Sequence, residues 1–197
     1  MKTPSHRRRR DADDQAALIT TFTGRLVDVF NLHEEDIDIE DIVHSLACIN
    51  RFCGHVAEPV SVAQHSVYVS CLCDGHALQG LLHDASEAYL GDVSRRLKNR
   101  PEMAGYREAE GLVQSAIYRR FGCDIETAPA VKRVDMLMAR YEATIGYHGK
   151  WKPSDSARYP PATQAEMVTI EQLVGPWRAW PWHEAKLVFL QRYSQVA

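Results

Sequence analysis

The text LLHDASEAYLGD, residues 81–92, sets a histidine and an aspartate side by side, His83 and Asp84, in a run otherwise small and apolar. An imidazole and a carboxylate on such a segment need a partner, because a buried polar group without one is costly. A divalent cation supplies that partner, and imidazole with carboxylate suits Mn, Fe, Co, Ni or Zn. Two more residues have the chemistry to join them. His65 stands in SVAQHSVYV, with Val62, Val67 and Val69 around it, and Asp135 stands in VKRVDMLMA ahead of Met136, Leu137 and Met138. Singly, each has an ordinary explanation. A lone helix histidine is usually a satisfied core or surface residue, and an aspartate beside Lys132 and Arg133 is usually half of a surface ion pair. The adjacent His-Asp pair also arises by chance. The ordered set H…HD…D, spread over three successive helical patterns, is the specific signal. Four protein ligands leave a cation room for water and a phosphate oxygen, so the chemistry on offer is activation of water and polarisation of a P–O bond.

Glu87 lies four residues beyond His83, which puts it on nearly the same helix face. It could orient or deprotonate the attacking water. Asp92 follows Gly91 at the helix end and could protonate the leaving oxygen or hold the water. Alone, Glu87 reads as an exposed helix glutamate and Asp92 as a turn or cap residue; the His-Asp pair next door favours function for both.

This ordered set resembles the HD superfamily of phosphohydrolases, which carry H…HD…D on a helical bundle. The likeness runs from about Thr23 to the C-terminus. RFCGH, SVAQHS, LLHDASEAYLGD and VKRVD are similar to the subgroup containing bacterial 5′-deoxynucleotidases and to phage dATP triphosphohydrolases. The resemblance implies an all-α HD-domain helical bundle over residues 19–197 as a single domain. It implies that His65, His83, Asp84 and Asp135 hold one divalent transition metal (Co, Mn, Zn, Ni or Fe). It implies that Glu87 and Asp92 are catalytic, since the extended motif HDxxExxxGD stands intact, and that the chain forms a homo-oligomer, dimer or higher. Lys98 follows Asp92 at the family's GDxxxxxK spacing, which implies a phosphate contact. Arg51 resembles an arginine that meets substrate in the nucleotidases, and Phe52 stands where many of them have Trp. His55 either lines the pocket or is a solvated loop histidine.

One stretch departs from those relatives. Where they commonly carry a Pro-containing LPxP, this chain has VSRR, Val93 to Arg96, which places Arg95 and Arg96 beside Lys98. The added charge suits a triphosphate better than a monophosphate; a basic surface loop is the equal alternative. The leading expectation is a dNTP triphosphohydrolase, dATP being the named substrate, giving deoxynucleoside plus triphosphate. A 5′-nucleotidase acting on deoxynucleoside monophosphates is the alternative, and a cyclic-nucleotide or alarmone hydrolase a third. A catalytically silent metal- or nucleotide-binding regulatory module is the reading from another class, and the intact Glu87 and Asp92 argue against it.

These residues must be positioned by helices. Residues 19–30 are β-branched and aromatic around Gly24, which predicts a short strand, a hairpin or an extended lead-in. Asp41 is a candidate cap for a helix in which Ile42, Leu46 and Ile49 share a face. A loop with Gly54 and Pro59 follows, and Ser61 is placed to cap the helix carrying His65. Residues 77–90 read as one apolar-faced helix stopped by Gly91. Residues 92–101 read as a basic loop, and a long helix from about Glu102 to Phe121 is closed by Gly122. Pro129 opens the helix that carries Asp135. Residues 149–162 form a Pro-rich loop, 163–174 a short helix, and the end a last amphipathic helix. Trp177, Trp180 and Trp182 near that end would serve a subunit interface or cap the core.

Composition narrows the rest. A length of 197 residues suits one domain with a real core, and 45% hydrophobic residues is ordinary for a globular protein. The net charge is −3 and the pI about 6.3, which argues against a nucleic-acid binder working by bulk electrostatics. The charge is not uniform: residues 1–15 carry Lys2 and Arg7 to Arg10 against Asp11, Asp13 and Asp14. Residues 1–18 are expected to be a disordered basic arm. Five cysteines with no CxxC pair predict reduced core thiols in a cytoplasm. No apolar run reaches the ~20 residues of a membrane span, and no apolar stretch follows the N-terminal charges as in a signal peptide.

Overall fold

The computed structural model describes residues 18–148, 150 and 160–197. Residues 1–17 of the predicted arm, and most of the Pro-rich loop, lie outside the described residues. Leu18, assigned to the arm from sequence, instead begins a two-stranded antiparallel hairpin, β1 (Leu18–Thr20) with β2 (Leu26–Asp28), in which Ile19 pairs with Val27. Among the described residues every later regular element is a helix, so the fold is all-α.

Helix α1 spans Ile39–Cys48. Its cap is Asp38, whose side chain accepts from the Glu40 amide, and not Asp41 as the sequence suggested. Asp41 lies one turn inside and buried, where its carboxylate accepts from both the amide and the hydroxyl of Thr23. It thus ties the hairpin tip to α1. Ile42, Val43, Leu46 and Ala47 are the buried face, while Ile49 lies just past the helix end. Ser61 caps α2 (Val62–Leu72) as expected, accepting from the Gln64 amide. Every residue of α2 from Val62 to Ser70 is buried, as befits a helix packed on all sides. Around it stand α1, α3 (Ala77–Leu82), α7 (Pro129–Gly146), α8 (Gln164–Val174) and α9 (Trp182–Val196). A further helix, α6 (Ala104–Arg120), packs over α3 and the two short helices that follow it.

The segment 77–90 is not the single helix its apolar face predicts. It breaks at residues 83–86 and resumes as α4 (Glu87–Leu90), which Gly91 ends at φ 79°. In an unbroken helix the Ser86 amide would donate to the Leu82 carbonyl. Here the side-chain amide of Gln114, from α6, stands between them: its nitrogen donates to Leu82 O at 2.8 Å and its oxygen accepts from Ser86 N at 3.0 Å. The predicted basic loop likewise contains a single helical turn, α5 (Arg95–Lys98).

Two apolar clusters flank α2. One joins α1, α3, α6 and α9 through Leu46, Leu81, Ile117 and Phe189; the other joins α2, α7 and α8 through Val69, Met138, Tyr141 and Ile170. Trp177 and Trp180 meet the rings of Tyr68 and Tyr141 and so cap the second cluster, whereas Trp182 is half exposed. The five cysteines are free thiols, but only Cys73 is buried in the core; Cys48, Cys53 and Cys71 are exposed, which corrects the expectation of core thiols. Among the described residues, no helix is long and apolar enough to cross a membrane.

Candidate metal centre

Three elements bring the four predicted ligands together. His65 comes from the second turn of α2, His83 and Asp84 from the break after α3, and Asp135 from the second turn of α7. One donor atom from each lies within 4.8 Å of the others. His65 Nε2 is 3.3 Å from Asp135 Oδ1 and 3.8 Å from Asp84 Oδ2. His83 Nε2 is 3.2 Å from Asp84 Oδ2 and 3.8 Å from Asp135 Oδ1.

The other face of each imidazole is fixed. His65 Nδ1 lies 2.9 Å from Glu142 Oε1, and His83 Nδ1 lies 2.8 Å from the Gly80 carbonyl. A carbonyl only accepts, and so does an ionised carboxylate, so each Nδ1 carries a hydrogen. Each buried Nε2 is left without a hydrogen bond, facing the carboxylates. This is the arrangement in which a ligating histidine is held by an outer acceptor. A cation bound at roughly 2.0–2.2 Å keeps its donors within ~4.4 Å of one another. The observed cluster is a few tenths of an ångström looser than that, so the residues fit a divalent cation with small side-chain adjustments.

The electrostatics agree. Burial opposes a proton on either imidazole, and Arg51 opposes one on His65, yet the neighbouring carboxylates outweigh both and raise the two histidines. The same attraction holds Asp84 and Asp135 well below the usual carboxylate range against the effect of their own burial. Positive charge is favoured here whether protons or a cation supply it.

Arg51, predicted as a substrate contact, is buried and faces inward. Its Nε donates to Glu142 Oε2 at 3.0 Å and its Nη1 to Asp84 Oδ2 at 3.3 Å. It reaches the site because Asn50 and Ser61 form a bridge that folds the intervening loop back on itself. Phe52 follows in the left-handed region at φ 58°, with the Arg51 guanidinium 5.5 Å from its ring centre and Tyr147 edge-on at 6.0 Å. His55 is exposed on the same loop.

Glu142 was not legible as a site residue. It is completely buried and joins Arg51 to His65. Burial would raise its carboxyl, but the charges of His65 and Arg51 hold it below its ordinary value. Two signals were available: its position seven residues after Asp135, two turns along one helix face, and a glutamate in the otherwise apolar text YEATI.

Glu87 is buried beside the cluster, with Oε1 accepting from Lys98 at 3.3 Å and Oε2 unpartnered. Burial, then the charges of Asp84 and Asp92, push its carboxyl up to about 9, against Lys98 and Arg51. The reason given from sequence for its position was incomplete, because the helix that would align it with His83 is interrupted. Asp92 is half-buried and is raised by burial and by Asp84, with Arg51 and Lys98 opposing. Lys98 lies between Glu87 and Glu110 and bonds to both. Arg95 reaches across to Asp135 Oδ2 at 2.6 Å, its side chain half exposed, and Arg96 is exposed one position on.

No family model matches the chain. It is 35% identical over 127 residues to the uncharacterized protein YfdR of Escherichia coli strain K12, an alignment covering 64% of this chain and 70% of that protein. It is 36% identical over 135 residues to the uncharacterized protein RCAP_rcc00048 of Rhodobacter capsulatus, covering 61% of this chain and 68% of the other. Identity at this level over more than two thirds of each relative shows shared descent, and the chain belongs to the family that contains YfdR and RCAP_rcc00048.

Proposed function

We propose that the chain is a metal-dependent phosphohydrolase of the HD superfamily acting on 2′-deoxynucleotides. One observation carries the reading: two buried imidazoles, each with Nδ1 committed to an oxygen acceptor, turn both Nε2 atoms toward the same two carboxylates. His65, His83, Asp84 and Asp135 would hold a Co, Mn, Zn, Ni or Fe dication, which when bound polarises a phosphate oxygen and lowers the pKa of water.

The other steps fall to the chain's own residues. Glu87, whose raised carboxyl would ionise beside a bound dication, has one oxygen unpartnered and accepts a proton from the attacking water as the water's oxygen bonds to phosphorus. The P–O5′ bond breaks, and Asp92 gives the departing O5′ a proton. Arg51 holds Asp84 in place and adds positive charge beside the phosphate. Arg95 and Arg96 favour a dNTP, giving deoxynucleoside plus triphosphate, with dATP as the named substrate. One observation favours a 5′-nucleotidase instead: Lys98 is already shared by Glu87 and Glu110, which leaves less charge for a long phosphate chain.

The test is to incubate the protein with Co²⁺ or Mn²⁺ and a panel of dNTPs, dNMPs and ribonucleotides, and to identify the phosphate product. Triphosphate from a dNTP is the expected result. Orthophosphate from dNMPs alone makes the chain a 5′-nucleotidase. No release from any of them, with metal bound, overturns the hydrolase reading in favour of a regulatory metal-binding module.

Two substitutions refine the assignment. Glu87→Ala is expected to leave metal content unchanged and lower kcat by roughly 10²–10⁴, the usual contribution of a positioned acid–base group. A near-normal rate would remove Glu87 from the chemistry. Replacing Arg95 and Arg96 together by alanine is expected to raise KM for a dNTP several-fold more than for a dNMP. Equal effects on both would withdraw the argument for a triphosphate.

A further inference from the structure

Gln114 lies on α6, outside the metal cluster, yet its side chain occupies the gap in the helix that carries His83 and Asp84. It takes up both backbone groups that an unbroken helix would pair, Leu82 O and Ser86 N. Across the gap the chain is held by tighter bonds between residues three apart: Ala85 N to Leu82 O at 3.0 Å, Glu87 N to Asp84 O at 3.0 Å, and Ala88 N to Ala85 O at 3.2 Å.

The tightening changes which side chains line up. In an α-helix of 3.6 residues per turn, positions 84 and 87 sit ~60° apart around the axis. In a three-residue turn they eclipse. The break therefore swings Glu87 into line with Asp84 and leaves His83 on a separate bearing, fixed by its bond to Gly80. A side chain inserted into the hydrogen-bond ladder is a recognised cause of such a break, and here the inserted group accepts from the displaced Ser86 amide and gives the Leu82 carbonyl a second donor beside Ala85 N.

We infer that Gln114 is a positioning residue: by wedging the helix open between Leu82 and Ser86 it sets the relative directions of His83, Asp84 and Glu87. Its effect on metal binding and turnover rests on the phosphohydrolase reading; its effect on the backbone does not. Gln114→Met keeps the length and packing volume of the side chain and removes both bonds. Gln114→Glu has the same length, keeps an acceptor for Ser86 N and loses the donor to Leu82 O, and it serves if the methionine variant does not fold.

Three measurements decide the matter. A crystal structure of the metal-free variant is expected to show the Ser86 amide bonded directly to Leu82 O and Glu87 turned away from Asp84. Titration with Co²⁺, followed by visible absorption, is expected to show affinity weakened ~10-fold, at the low end for loss of an outer-shell partner. The variant is expected to lower kcat in the otherwise intact protein and to lower it no further in a Glu87→Ala background, the non-additivity of residues acting as a unit. An unchanged break in the variant, or unchanged Co²⁺ affinity with rate effects that simply add, overturns the assignment. If the intact protein binds Co²⁺ but hydrolyses no nucleotide, the phosphohydrolase reading fails while the structure and the titration still judge Gln114.

Discussion

Asp84→Ala is expected to abolish metal retention and turnover together, and His83→Ala to do the same. Asp84 meets both imidazoles and a buried guanidinium. It lies 3.2 Å from His83 Nε2 and 3.8 Å from His65 Nε2, and it accepts from Arg51 at 3.3 Å. Removing it takes away a donor and a negative charge, and leaves Arg51, still paired with Glu142, without its partner in the cluster, so the site favours a cation less. Loss of an outer-shell partner typically lowers metal affinity 10–100-fold; loss of a ligand is expected to exceed that. Metal content after gel filtration, measured beside the hydrolysis rate, checks this. Stoichiometric metal in the alanine variant would mean that the cation sits elsewhere.

Glu142→Ala is expected to be the most destabilising single change near the site. The carboxylate is fully buried and serves two buried cationic or hydrogen-bonding partners, Arg51 Nε at 3.0 Å and His65 Nδ1 at 2.9 Å. Breaking a buried pair by deleting one member costs roughly 3–5 kcal/mol, because the other is left uncompensated. For a chain of this size each kcal/mol lowers Tm by about 2–4 °C, so the fall should be on the order of 10 °C. The measurement is thermal unfolding in chelator, which separates this effect from any loss of metal. Glu142→Gln keeps the shape and one acceptor and is expected to fall between the two. A change in Tm of only a degree or two in the alanine variant would show that Arg51 and His65 find other partners.

The parts of the fold governed by short-range chemistry were legible in the sequence. Ser61 caps α2 because a serine before an apolar helix satisfies a free amide, and Pro129 opens α7 because its missing amide is not needed there. His65, His83, Asp84 and Asp135 could be selected by residue type and order, and the fold brings them together. What escaped depends on partners distant in the chain. The gap at residues 83–86 is made by Gln114, 28 positions beyond Ser86, and nothing in LLHDASEAYL announces it. Asp38 outcompeted Asp41 as the cap of α1 because Asp41 is engaged by Thr23, 18 positions earlier. Glu142 carries its role through Arg51, 91 positions away. In each case a local pattern was overridden by a hydrogen bond that only the folded chain can make.

That separation bears on the order in which the molecule can be built. Synthesis delivers Arg51 and His65 early, on or beside the helix that ends up at the centre of the bundle, while Asp135 and Glu142 lie on α7. Until α7 has left the ribosome, His65 Nδ1 has no acceptor and the Arg51 guanidinium has only Asp84. Burying them before then would strand a charge and a polar hydrogen in an apolar interior. The expected order is therefore that α2 packs loosely until α7 arrives and the polar centre closes late, when long-range contacts can repay the loss of chain freedom; hydrogen exchange during refolding, with α2 amides protected no later than those of its neighbours, would contradict it.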